Sequence, residues 1–174
     1  MEIRTANLLL GALELADAGR ISLLAGDYDV ASMTGTIPHP YDEPMAAKWI
    51  ASVRAGEEGV VFAVLLDGQV IGCAGYRRLD ELHAELGYWI GKPYWGCGYA
   101  TEAAAALIEH GFEVDGLAYL RAGHFADNPA SARVIEKLGF ARVDTASRDC
   151  AAKGDKAVCL IYRLDRDRRS PIQC

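Results

Sequence analysis

Residues 84–125 run AELGYWI, GKPYWGCG, YATEAAAALIEHGFEV, DG and LAYLRAGHF. An apolar, aromatic run leads into a glycine-rich break. An alanine-rich helical stretch over about residues 98–114 follows, and then a second apolar run. Strands joined by a crossover helix of this length lie parallel, and the connection is right-handed. The unit therefore commits its two runs to a parallel pair within one sheet.

The surrounding runs pair antiparallel. VVFAVLL and QVIGCAGYRRL flank Asp67-Gly68, a tight-hairpin signal. NLLLGAL reads as a first strand, ARVDTAS and KAVCLIYRL as two final ones. LADAGRISLLAG has helical spacing. After the proline-rich GTIPHPYDEP, Asp42 or Glu43 opens a helix with Pro44 in its first turn, stopping near Gly56. A shorter helix, NPASARVIEKLGF, takes Asn128 as N-cap and Gly139 as its stop. The expected fold is an α+β (α/β) sandwich: a mixed, mostly antiparallel sheet of six to seven strands around one parallel pair, with helices on both faces. No repeat or interior linker divides residues 1–174, so one domain is expected, with a solvated charged tail over about 165–174.

A formal charge of −6 argues against nucleic acid as the main partner. The N-terminal stretch places acids within its apolar run, which predicts neither signal peptide nor anchor, and no segment reaches the roughly 18 apolar residues of a membrane span. The five cysteines are irregularly spaced without a C-x-x-C, as in reduced cytosolic proteins. A cytoplasmic location is expected. The four histidines lack metal-ligand spacing, so no metal is expected.

Glycine is the poorest ordinary helix former and alanine the best, yet WGCG stands directly before the alanine run. The first N–H groups of a helix lack intrahelical acceptors and carry the positive end of its dipole. With glycines ahead of them, nothing blocks a phosphate from docking. A Walker loop is excluded: GYWIGKP has three residues between its glycines, and Pro93 follows the lysine. A dinucleotide fingerprint fits poorly, because KPYW separates strand from glycines and the next strand ends without an acid. The remaining reading is the diphosphate of coenzyme A.

WGCGYATEA resembles the Q/R-x-x-G-x-G/A loop of the GNAT superfamily of acyl-CoA-dependent N-acetyltransferases. AELGYWIGKPYWGCGYATEA, FADNPASARVIEKLGF and TGTIPHPY together resemble the branch that includes ribosomal-protein-alanine acetyltransferases, in the expected order from about residue 3 to residue 164. The resemblance implies that the parallel strands splay apart at their carboxyl ends and that the pantetheine arm of acetyl-CoA lies between them. The arm would bond the backbone near Trp89, Ile90 and Gly91. The amides of Gly96, Cys97, Gly98, Tyr99, Ala100 and Thr101 would take the pyrophosphate, and Asn128 and Ser131 would face the arm. Three positions depart from the family. Trp95 stands at the Q/R site, Cys97 replaces a common Lys or Arg, and Ile135 occupies the place of the tyrosine that protonates the leaving thiolate. Ser131 or a water would serve instead.

The implied reaction is direct attack of a primary amine on the thioester in a ternary complex. A free α-amine has a pKa near 8 and a lysine near 10.4, so a base matters more for the second. Glu85 is the candidate base, directly or through a water, with desolvation in a cleft raising its pKa. His83 shares its strand face and reads as a surface histidine. A backbone N–H near Ile90 would hold the oxyanion. His39 and Tyr41 would line the acceptor pocket. The acceptor, a protein N-terminus or a small-molecule amine, is left open, as are a homodimer and an acyl chain longer than acetyl. A non-catalytic acyl-CoA sensor on the same fold is the competing reading.

Overall fold

The computed structural model describes residues 2–168. Its strands are β1 (Ile3–Arg4), β2 (Leu9–Gly11), β3 (Val60–Leu66), β4 (Gln69–Arg78), β5 (His83–Ile90), β6 (Tyr119–Phe125), β7 (Ala141–Cys150) and β8 (Asp155–Asp165). They form one sheet in the order β1-β2-β3-β4-β5-β6-β8-β7. Among the described residues only β5 and β6 pair in parallel. The helices are α1 (Ala18–Ala25), α2 (Tyr28–Ala31), α3 (Glu43–Arg54), α4 (Tyr99–Glu113) and α5 (Pro129–Lys137).

The sheet has eight strands where six to seven are expected. The extra one is β1, whose Ile3 and Arg4 pair with Leu10 and Leu9 across the turn closed by Thr5 N–H on the Leu8 carbonyl. Two residues are too few for an alternation to be read. The segment expected as a strand over NLLLGAL is correspondingly cut to Leu9–Gly11, and a single 3-10 turn precedes α1. Most of the tail, including Cys174, lies outside the described residues.

Local chemistry explains the other boundaries. Asp67 and Gly68 both have positive φ (49° and 77°), as a two-residue hairpin turn requires. The Asp42 carboxylate accepts from Met45 N–H at 2.9 Å and starts α3. Asn128 Oδ1 accepts from Ser131 N–H at 3.1 Å and starts α5.

The sheet is covered on both faces. On one, Ala103, Ala104, Leu107, Ile108 and Phe112 of α4 pack with Ile135 of α5 against Phe62, Val64, Leu86 and Leu120. The alanines, fully buried, let α4 lie close to the strands. On the other, Ile21, Ala46 and Ile50 of α1 and α3 pack against Ala63, Val70 and Cys73. The β7–β8 hairpin reaches back toward that second layer. Ala151 N–H donates to the Gly35 carbonyl at 3.0 Å, and the Cys150 thiol lies 3.4 Å from the Thr34 carbonyl. Among the described residues, no helix is long and apolar enough to cross a membrane.

Candidate active site

The parallel ladder between β5 and β6 runs from His83↔Tyr119 only to Leu86↔Ala122. Residues 87–90 of β5 and 123–125 of β6 continue without pairing to one another. A gap therefore opens at their carboxyl ends, in the middle of the sheet.

Main-chain groups alternate sides along a strand. Gly91 N–H donates to the Ile71 carbonyl on the β4 side at 2.8 Å, so Ile90 turns its N–H and C=O toward the gap. The Ile90 carbonyl accepts the Trp95 indole N–H at 2.6 Å, leaving the Ile90 N–H facing the opening. The alternation also holds the main chain of Trp89 and Gly91 toward β4. Of these three expected contacts, Ile90 is thus the one whose backbone is directed at the gap. Trp95 anchors the glycine loop to the strand, a use of the indole that the sequence did not signal.

Past that anchor, Gly96 and Gly98 both take left-handed φ, 80° and 85°, and a Cβ added at either would meet nothing within 4 Å. Their glycines are required by backbone conformation, and the space above them is open. Cys97 between them is exposed. Gly98 is the N-cap of α4, and the first intrahelical bond runs from Glu102 N–H to the Gly98 carbonyl at 3.0 Å. The N–H groups of Tyr99, Ala100 and Thr101 therefore have no acceptor within the helix. An alternation of left-handed glycines leading into a helix N-terminus suits a diphosphate.

The mouth of α4 is tied down by a contact absent from the sequence reading. Glu102 accepts from the Thr5 hydroxyl at 2.6 Å, the Asn7 N–H at 2.7 Å and the Asn7 side-chain amide at 3.0 Å. Burial works against its charge, but these bonds outweigh it and hold the carboxyl below its usual range.

Ser131 lies in the first turn of α5, just past the end of β6, and Asn128 is occupied as its cap. The Ser131 hydroxyl is 2.9 Å from the Tyr88 hydroxyl. Burial pushes that phenol up to about 12, the bond to Ser131 opposing. Ile135 is fully buried in the core and offers nothing to the gap.

On the opposite face, both Glu85 oxygens are held by the Arg148 guanidinium, Nη1 on Oε1 and Nη2 on Oε2 at 3.2 Å for the second. Glu85 is thus not a lone carboxylate in a dry cleft. A hairpin strand 63 residues away supplies its counter-ion, and no local pattern announces such a partner. A carboxylate has about four acceptor sites, and the fork uses two. His83 stacks on Tyr119, ring centroids 4.4 Å apart, and its Nδ1 lies 2.5 Å from an Asp80 carboxylate oxygen. Buried His124 bonds the Phe125 carbonyl and the Tyr162 hydroxyl.

His39 and Tyr41 sit on the loop after α2, which meets the β7–β8 tip. The exposed His39 ring bonds the Gly26 carbonyl at 3.0 Å and meets Tyr28 edge-on. Tyr41 packs into the α1–α3 layer, and burial, with Cys73 and Asp42 adding, raises its phenol to about 12.

Sheet, gap and glycine-capped helix together define a class of protein in which a mixed sheet splits at one parallel pair beside a helix that begins on left-handed glycines. The family model "Acetyltransferase (GNAT) domain" matches residues 7–141, and the chain belongs to that family. It is 32% identical over 111 residues to the uncharacterized N-acetyltransferase YoaA of Bacillus subtilis, a match covering 63% of this chain and 56% of that one. It is 30% identical over 82 residues to the ribosomal-protein-serine acetyltransferase of Escherichia coli, 46% of each chain. The chain thus spans about half the length of these two relatives. Among solved structures, a GNAT-family acetyltransferase from Bacillus anthracis superposes with TM-score 0.83 at 22% identity over 96% of this chain and 99% of that one. Mycobacterium smegmatis RimJ, solved with CoA-disulfide, gives 0.80 at 22% over 92% and 82%.

Proposed function

We propose that this protein transfers the acetyl group of acetyl-CoA to a primary amine, a protein N-terminus or a small molecule, by direct attack in a ternary complex. The observation that carries the reading is the glycine-capped start of α4, with its open space, beside the gap between β5 and β6. The amides from Gly96 to Thr101 would hold the pyrophosphate. The arm would lie in the gap past Ile90, whose N–H would meet the thioester oxygen as charge develops on it. Asn128 and Ser131 would flank the arm.

The amine would approach from the Glu85 face, under the loop bearing His39 and Tyr41. Glu85 would accept its proton, most simply through a water, because Arg148 occupies two of its acceptor sites. The free thiols Cys73, Cys97, Cys150 and Cys159 suit a cytoplasmic setting for this chemistry.

Incubating the protein with acetyl-CoA and a panel of amines and N-terminal peptides, with thiol release as readout, tests the proposal. Amine-dependent release supports it. Binding of acetyl-CoA without release across the panel would favour the acyl-CoA sensor, a reading that Ile135 in the place of a tyrosine motivates.

A further inference from the structure

We propose that Tyr88 is a positioning residue for acyl transfer: its hydroxyl orients Ser131 so that the serine proton points at the departing sulfur. The inference deepens the acetyltransferase reading and rests on it.

Tyr88 stands two residues beyond Leu86, the last β5 residue paired with β6, and shares its sheet face. Its ring lies against the α4–α5 core. Its hydroxyl reaches the Ser131 hydroxyl at 2.9 Å, so the bond joins β5 to the first turn of α5 across the start of the gap. Of the two hydroxyls, the phenol is the more acidic and is the better donor. The phenol also stands 3.5 Å from the Ser131 carbonyl; with Tyr88 donating to the Ser131 hydroxyl, that oxygen is the acceptor and the serine proton is free to turn toward the arm.

The chemistry balances without a proton leaving Tyr88. The amine nitrogen forms the C–N bond, the C–S bond breaks, and its electron pair leaves on sulfur. Ser131 stabilises that thiolate by donating a hydrogen bond. The amine proton passes to Glu85 or water, and the thiolate later takes a proton from solvent. The phenol, at about 12, sits well above an ordinary thiol near 8.5. It therefore keeps its proton and works as a fixed donor, not as a relay. Ile135, in the place of the family's tyrosine, lies one turn further along α5 and brings no hydroxyl; here the donor is Ser131 in the first turn, held by a partner on β5.

The experiment compares CoA with desulfo-CoA by calorimetry at about pH 9.5, where an ordinary thiol is ionised. It uses the full chain, Tyr88→Phe, Ser131→Ala and the double variant. The wild type should prefer CoA by about tenfold, the scale of a hydrogen bond to a charged acceptor. Tyr88→Phe and Ser131→Ala should each remove most of that preference, and the double variant no more than either. Turnover of Tyr88→Phe should fall about tenfold, with acetyl-CoA affinity within about twofold and a thermal transition lowered by no more than the few degrees that one lost hydrogen bond costs. Retained thiol preference in Tyr88→Phe, or losses that add in the double variant, would overturn the inference. Equal wild-type affinity for both ligands would overturn it while leaving the cofactor reading intact. Binding of neither ligand would remove both.

Discussion

Gly98→Ala separates two roles that one glycine can play. Its φ of 85° lies in the left-handed region, and an added Cβ would touch no protein atom within 4 Å. The stability cost is therefore backbone strain alone, roughly 1–2 kcal/mol. For a chain of this size, each kcal/mol moves the melting temperature by roughly 2–4 °C. Gly56, which follows α3, is a matched control: its φ is 79° and a Cβ there also meets nothing. Both variants should lose similar stability in urea or thermal unfolding. They should part company in CoA titrations. At Gly98 the methyl would stand in the mouth of α4 and cost at least one charge-assisted bond to phosphate, about 1.5–3 kcal/mol, or tenfold and more in affinity. Gly56→Ala should bind CoA within about twofold of wild type. If Gly98→Ala keeps wild-type affinity while losing the same stability as Gly56→Ala, the loop serves folding only, and the cofactor argument from it fails.

Replacing Glu85 by Gln should lower turnover about a hundredfold, the usual scale for a positioned base, with acetyl-CoA affinity nearly unchanged; full activity from about pH 6 to 9 would dismiss it as the base. Glu102 has a folded pKa below the ordinary value of about 4.3. Its stabilising contribution is thus present above that value and lost as pH falls through it to the folded one. The stability gap between wild type and Glu102→Gln in urea should therefore narrow as the pH falls below about 4.3, and a constant gap would contradict the role of Thr5 and Asn7. Cys97→Lys restores a positive charge in the exposed loop and should tighten CoA binding a few-fold at low salt, the gain fading as salt screens it; an affinity unmoved at every ionic strength would show that residue 97 does not face the phosphates.

What the sequence disclosed was what local chemistry decides. Asp42 and Asn128 act as caps within three residues of the amides they serve, and Asp67-Gly68 bends within its own dipeptide. The length of the α4 crossover forces the parallel pair. The loop was legible for the same reason, since Gly96, Gly98 and the helix start are consecutive. Hidden features join distant segments. Arg148 meets Glu85 across 63 residues, Tyr88 meets Ser131 across 43, and Thr5 meets Glu102 across 97. No spacing rule ties such pairs, so Glu85 was expected in a desolvating cleft while the fold gives it a guanidinium. β1 escaped notice because two residues cannot show a period.

The central claim is that main-chain donors at the start of α4 grip the diphosphate of CoA beside the split strands. Following backbone amide signals by NMR during a CoA titration tests it residue by residue. The account predicts the largest shifts at Gly96, Cys97, Gly98, Tyr99, Ala100 and Thr101, with Ile90 and Ser131 next. Shifts concentrated elsewhere, with those amides unmoved at saturation, would contradict it.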